Sequence, residues 1–171
     1  STYFLINGSD GSVLNYFWFN ATAATPGNYN ITVTTLNTTG AFQSNISITV
    51  NDTTVPSSIT FASPVETDGA NLSRSNIQVN VSATDNGVID RIVIRLYNSS
   101  QSLINTSLSS TGVASYFINF TSLGDGTYRF NATVNDTYNN VNETATRLVI
   151  LDTTSPAVSA INSPVDRANV T

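Results

Sequence analysis

Apolar and polar residues alternate with a period of two along much of this chain. Ile77, Val79, Val81 and Ala83 alternate with Gln78, Asn80 and Ser82. Ile92, Ile94 and Leu96 alternate with Arg91, Val93 and Arg95, and Tyr128, Phe130, Ala132 and Val134 with Arg129, Asn131, Thr133 and Asn135. Ile46, Ile48 and Val50 stand against Asn45, Ser47 and Thr49. Successive side chains of a strand point to opposite faces, so each run predicts a strand with one core face and one wet face. Half-solvated strands of this kind belong to antiparallel sheets. Turn residues separate the runs at Pro26-Gly27-Asn28, Asp85-Asn86-Gly87 and Gly124-Asp125-Gly126. No window carries a helical period.

The pattern repeats. Asp52-Thr53-Thr54-Val55-Pro56 returns 100 residues later as Asp152-Thr153-Thr154-Ser155-Pro156, and Ser63-Pro64-Val65 returns as Ser163-Pro164-Val165. Tyr16-Phe17 matches Tyr116-Phe117, and Gly27-Asn28-Tyr29 matches Gly126-Thr127-Tyr128. The matches keep their order, which predicts a unit of about 100 residues. On that reading 51–150 is one complete domain. Residues 1–50 are the C-terminal half of a preceding domain, completed by another segment or chain. Residues 151–171 are a linker and the opening strand of a following domain, a possible donor strand. The short Pro-containing linkers predict a stiff row of domains rather than a floppy tether.

About seven short strands in such a unit predict an all-β, immunoglobulin-like antiparallel sandwich. Tyr128, placed just after Gly124-Asp125-Gly126 at a strand start, has the position of a tyrosine corner, with Tyr29 as its copy. The Cys…Trp…Cys pattern of true immunoglobulin domains is absent.

Composition then removes most chemistry. The chain of 171 residues has no Lys, His, Cys or Met. That excludes the usual zinc, copper, haem and iron–sulfur ligand sets. It also excludes His-assisted Ser or Cys nucleophiles, Schiff-base lysine and a Walker A loop. Six Arg scattered along a chain of net charge −5 make a poor nucleic-acid surface. No apolar run is long enough to cross a membrane as a helix. The opening residues carry no signal-peptide pattern, and the chain reads as a mature segment or an excerpt of something longer. An enzyme is not expected.

Only 10% of residues are charged, against about 25% in an average soluble domain, so something else must keep the surface wet. Ser and Thr make 47 of the residues, and there are 22 Asn. Fifteen Asn open an Asn-x-Ser/Thr triplet: Asn7, Asn20, Asn30, Asn37, Asn45, Asn51, Asn71, Asn80, Asn98, Asn105, Asn119, Asn131, Asn135, Asn142 and Asn169. Asn162 stands before Ser163-Pro164 and departs from the pattern. Crowding of Asn, Ser and Thr into turns and strand faces would supply about 6 such triplets by chance, and selection for N-glycans accounts for the excess. Asn80 and Asn131, on polar strand faces, are among the expected acceptors. Glycosylation places the chain outside the cell, or on its surface.

The run Leu123-Gly124-Asp125-Gly126-Thr127-Tyr128-Arg129-Phe130-Asn131-Ala132-Thr133-Val134-Asn135-Asp136-Thr137 resembles the DGTYxxNVTVxD strand of tandem immunoglobulin-like domains in archaeal cell-surface proteins. Asn140-Val141-Asn142 followed by Leu151-Asp152-Thr153-Thr154-Ser155-Pro156 is similar to the domain end of that family. Ser163-Pro164-Val165 with Ala168-Asn169-Val170-Thr171 is similar to its domain opening. The resemblance covers 16–171. One departure is Asn139-Asn140 where Gly often stands, and Asn also tolerates a positive φ. The resemblance implies repeat type and cell-surface context.

Two constellations remain. Asp52, Asp85, Asp90, Asp136 and Asp152 lie near turns and domain ends, where clustered oxygens can hold calcium. The simpler reading is that each Asp caps its own turn, and no Asp-x-Asp-x-Asp spacing or neighbouring acid supports a metal. Glu66 and Glu143 read as isolated, and a glycosidase dyad is disfavoured because these carboxylates sit in polar turns. Beyond covalent N-glycans and this calcium option, no cofactor is expected. The aromatic run Tyr16-Phe17-Trp18-Phe19 is the second constellation, read as core or subunit packing before a sugar platform.

The resulting expectation is a structural subunit of an extracellular glycosylated filament, sheath or surface layer. Its expected partners are copies of itself, head to tail, with donor-strand exchange as one route, and other cells or surfaces. The alternatives are an adhesin stalk or carbohydrate-binding module of a larger secreted protein, or a spacer in a secreted hydrolase.

Overall fold

The computed structural model describes residues 25–37 and 40–159. Eleven strands and no helix are found among them: β1 (Gly27–Asn37), β2 (Gly40–Val50), β3 (Ser57–Phe61), β4 (Ala70–Leu72), β5 (Ile77–Thr84), β6 (Ile89–Tyr97), β7 (Leu103–Leu108), β8 (Ser115–Phe120), β9 (Gly126–Asp136), β10 (Val141–Glu143) and β11 (Arg147–Leu151). Three sheets result. β1 and β2 form an antiparallel hairpin, β3-β5-β8 a three-stranded sheet, and β4-β11-β9-β6-β7 a larger sheet with β10 also on β9.

The latter two sheets make a sandwich, as the alternation requires. β5 contributes Ile77, Val79, Val81 and Ala83 to the core. Facing them are Ile92, Ile94 and Leu96 of β6, Phe130, Ala132 and Val134 of β9, and Val149 and Leu151 of β11. Each fully buried aliphatic or aromatic side chain contributes roughly 1.5–3 kcal/mol over its exposed state. Phe61 meets Phe130 edge to face at 5.4 Å between ring centroids, the arrangement that aromatic quadrupoles favour. Arg147 lies over the Phe61 ring at 4.3 Å and donates to the Glu66 carbonyl.

Between Phe61 and Ala70 the chain crosses from one sheet to the other, where β4 pairs β11 in parallel. All other strand pairs are antiparallel. This all-β, immunoglobulin-like sandwich is the architecture that the strand pattern predicted. Both tyrosine corners form: the Tyr128 hydroxyl donates to the Gly124 carbonyl, and the Tyr29 hydroxyl to that of Thr25. Asn139 adopts φ 67°, the left-handed conformation that Asn supports in place of Gly.

Two details differ from the linear reading. Val93, read on a wet face, is buried at 7% exposure, because it lies mid-strand between Leu108 of β7 and Thr133 of β9. Glu66, read as isolated, is also buried. Arg74 donates to both its carboxylate oxygens at 2.6 Å, and the Gln78 amide donates to Oε1. The pairing crosses eight residues between β3 and β5, so no local motif announces it.

Candidate functional site

One end of the sandwich gathers acidic residues. There β3 begins, β5 gives way to β6, and β9 ends. The β5–β6 turn is Asp85-Asn86-Gly87-Val88, and Ile89 pairs Asp136, the last residue of β9. The Thr137 amide donates to the Val88 carbonyl and ties the two together. Asp52 arrives from the segment that joins β2 to β3. Ligand oxygens of Asp52, Asp85 and Asp136 lie within 4.8 Å of one another. Asp52 and Asp136 are buried, at 5% and 1% exposure, and Asp85 is half-buried.

Part of this acidity is turn capping. Asp52 Oδ1 accepts from the Thr54 amide at 2.9 Å and from Asn86 Nδ2 at 3.1 Å. Asp85 Oδ2 accepts from the Gly87 amide at 2.9 Å. Asp136 Oδ1 accepts from the Tyr138 and Asn140 amides, and its Oδ2 from Asn140 Nδ2 at 2.6 Å. Asn140 Nδ2 also donates to the Asp52 carbonyl, joining residues 88 apart.

Two oxygens are left over. Asp52 Oδ2 and Asp85 Oδ1 are buried and have no hydrogen-bond partner. Gly87 packs against the cluster: a Cβ at that position would stand 2.6 Å from Asp52 Oδ2 and 3.2 Å from Asp85 Oδ2. Only a residue without a side chain leaves that space.

Of the five Asp singled out in the sequence, three therefore meet and two do not. Asp90 lies outside the cluster, with Arg91 at 2.6 Å and Thr111 donating to it, and these bonds hold its carboxyl below the usual range. Asp152 is exposed and caps Thr154. Asn86, Gly87 and Asn140 escaped the linear reading as site residues. Asp85-Asn86-Gly87 was visible as a turn of which Asp85 alone was a metal candidate, and nothing local relates Asn140 to Asp52.

The sequon asparagines spread over both layers. Asn30, Asn45, Asn51, Asn71, Asn105 and Asn142 are exposed, whereas Asn80, Asn98, Asn119, Asn131 and Asn135 are half-buried. Asn80 Nδ2 donates to the Ser63 carbonyl, and Asn142 Nδ2 to that of Pro56. Asn131 Oδ1 is buried without a partner, at a depression of about 160 Å³ lined by Tyr97, Gln101, Arg129 and Thr146. That volume is below the ~300 Å³ where small-molecule pockets begin. Asn7, Asn20, Asn169 and the aromatic run at 16–19 lie outside the described residues, as does the side chain of Asn37. No helix among the described residues is long and apolar enough to cross a membrane.

Residues 58–132 match the family model of the bacterial Ig domain. No curated protein matches the chain. Among solved structures, CopC from Methylosinus trichosporium OB3b is similar at 14% identity and a TM-score of 0.43, over 55% of this chain and 93% of that one. Dimeric latent PorU from Porphyromonas gingivalis is similar at 15% identity and 0.42, over 75% of this chain and 12% of that one. The CARDB domain of a Pyrococcus furiosus protein, in complex with di-metal ions, is similar at 23% identity and 0.32, over 54% and 87%.

Proposed function

We propose that this chain is a structural, non-catalytic part of an extracellular surface assembly, built from immunoglobulin-like units and coated with N-glycans. An immunoglobulin-like domain suits a surface or stalk module in general. The observation that carries the finer reading is the pairing of fifteen sequons with a surface of very low charge. Glycans would supply the hydration that charged side chains provide elsewhere.

Within that reading the chain is a subunit of a filament, sheath or surface layer, joined head to tail. The β1–β2 hairpin supports this, because Tyr29 at 41% and Ile46 at 46% exposure leave its apolar face open. Residues 157–171 of another copy would add a strand there. Of that tail, 157–159 are exposed and carry no strand, and 160–171 lie outside the described residues. Head-to-tail contacts that do not close give fibres.

Intact mass and electron microscopy of native material test the proposal. The expected mass is well above 18.2 kDa, with glycans on Asn30, Asn45, Asn51, Asn71 or Asn105 and regular fibres or arrays in the micrographs. A native mass equal to the bare chain would overturn the glycan coat.

A further inference from the structure

The geometry points to a calcium site formed by Asp52, Asp85 and Asp136 at the end of the sandwich where the preceding segment enters. This inference goes beyond the surface-module reading and does not depend on it. It starts from the two oxygens that turn capping leaves over. Asp52 Oδ2 belongs to a side chain 5% exposed, and neither it nor Asp85 Oδ1 has any donor. A buried anionic oxygen without a partner is costly, and three carboxylates facing one another add mutual repulsion in a poorly screened place.

No Arg relieves it. Arg74 pairs Glu66, Arg91 pairs Asp90, Arg95 donates to Thr133 and Arg147 lies on Phe61. Among the described residues, no ion pair reaches the three acids. A cation between them relieves both costs at once.

The donor set selects the cation. It is all oxygen and anionic, with no nitrogen or sulfur ligand in the entire sequence, so it suits a hard ion. Ligand oxygens that all lie within 4.8 Å of one another are close enough for one cation to bridge with Ca–O bonds of about 2.4 Å. Magnesium keeps several waters and is usually held by only one or two carboxylates in a near-ideal octahedron, so three carboxylates from separate loops suit calcium better. The carboxylates supply part of the six to eight oxygens calcium takes, and backbone carbonyls or water complete them. Gly87 keeps the space open.

The ligands come from three separate places in the chain. Asp52 lies before β3, Asp85 in the β5–β6 turn and Asp136 at the end of β9. A cation there fixes the segment 51–56 to the sandwich, and so sets the angle at which the preceding segment joins it.

The test is calorimetric titration and thermal melting of the whole chain after EDTA treatment and desalting. The expected result is one calcium per chain and a melting temperature about 10 °C higher in millimolar calcium, with magnesium giving less than half that rise. Asp85→Asn keeps the acceptor for the Gly87 amide and removes a like charge. It should melt no lower than the parent in EDTA and lose most of the calcium response. A purely structural Asp85 would instead lower the melting point in EDTA. The protection of the Thr54 amide from hydrogen exchange should rise with calcium in the parent and not in Asp85→Asn.

The assignment is overturned by an absent heat of binding with melting unchanged by calcium, by magnesium acting as strongly as calcium, or by a calcium response that survives Asp52→Asn/Asp85→Asn. A bare native chain would sink the glycan proposal and leave this one standing, so the two fail separately.

Discussion

Residues 27–54 and 126–154 are two versions of one motif pattern, Gly-x-Tyr at the start and Asp-Thr-Thr at the end, in opposite surroundings. Each opens with a tyrosine corner, Tyr29 on Thr25 and Tyr128 on Gly124. Each pairs that Tyr with an aliphatic residue, Tyr29 with Ile48 and Tyr128 with Val149. Each closes on an Asp whose Oδ1 accepts from the amide two residues on, at 2.9 Å for Asp52 and 3.0 Å for Asp152. Burial is inverted between them. In the second version the strand is covered, with Phe130, Ala132 and Val134 all at 0% exposure, and the closing Asp152 is exposed. In the first, Ile31 and Val33 are half-buried and Ile46 is exposed, while the closing Asp52 is buried in the acidic cluster. Backbone register and turn bonds are therefore local properties that both versions share. Burial, and with it any chemistry a carboxylate acquires, depends on what the rest of the chain lays over it.

Truncating the equivalent strand residues tests this contrast most severely. Phe130→Ala should destabilise the sandwich by about 3–5 kcal/mol, since it removes a fully buried ring and its contact with Phe61. Ile31→Ala, at the matching position of the hairpin, should cost less than about 1 kcal/mol in the same urea titration, because little apolar area is buried there. Equal losses would mean that the hairpin is covered as thoroughly as β9, and the contrast would fail.

The corners give a smaller and more local comparison. Tyr128→Phe removes one hydrogen bond and should lower sandwich stability by about 1 kcal/mol. Tyr29→Phe should leave the sandwich transition where it is, since its bond lies within the hairpin segment. A shift of the main transition by Tyr29→Phe would show that the two regions unfold as one.

The smallest effect concerns the exposed linker. Thr153 donates its hydroxyl and amide to Asp125 Oδ1, and the Thr154 hydroxyl donates to Oδ2. These bonds, the Thr153 hydroxyl first, hold the Asp125 carboxyl below its ordinary value. A lowered value means that the folded state favours the ionised form. The contribution is therefore complete above the unfolded value of about 3.9 and is lost as pH falls through the lower folded value. The Thr153 amide resonance should move below about pH 4 and stay constant from pH 5 to 8, where a chain without His has nothing unperturbed to titrate. Asp125→Asn should abolish that acid-side movement. Among the described residues no carboxylate takes the hydroxyls of Thr53 and Thr54 in this way; the first linker is held instead by Asn86, Asn140 and Asn142, and Pro26 stands at the position that matches Asp125.

Strands, turns, corners and the choice of core face were legible because they follow from short-range rules. A period of two sorts side chains to two faces, and Gly, Asn, Asp and Tyr near turns satisfy backbone groups a few residues away. The sequence also determined the list of available ligands: carboxylate, hydroxyl, amide and carbonyl oxygen, with no imidazole or thiol. It placed five Asp at turns without ranking them, because capping an adjacent amide looks the same whether or not a second oxygen is stranded. Only the tertiary structure brought Asp52, Asp85 and Asp136 together and left Asp90 to Arg91 and Asp152 to solvent. The closing of β3, β5, β6 and β9 at one end of the sandwich decides this. Those contacts span 34 and 88 residues, between Asn86 and Asp52 and between Asn140 and Asp52, and no local pattern encodes a neighbour at that range.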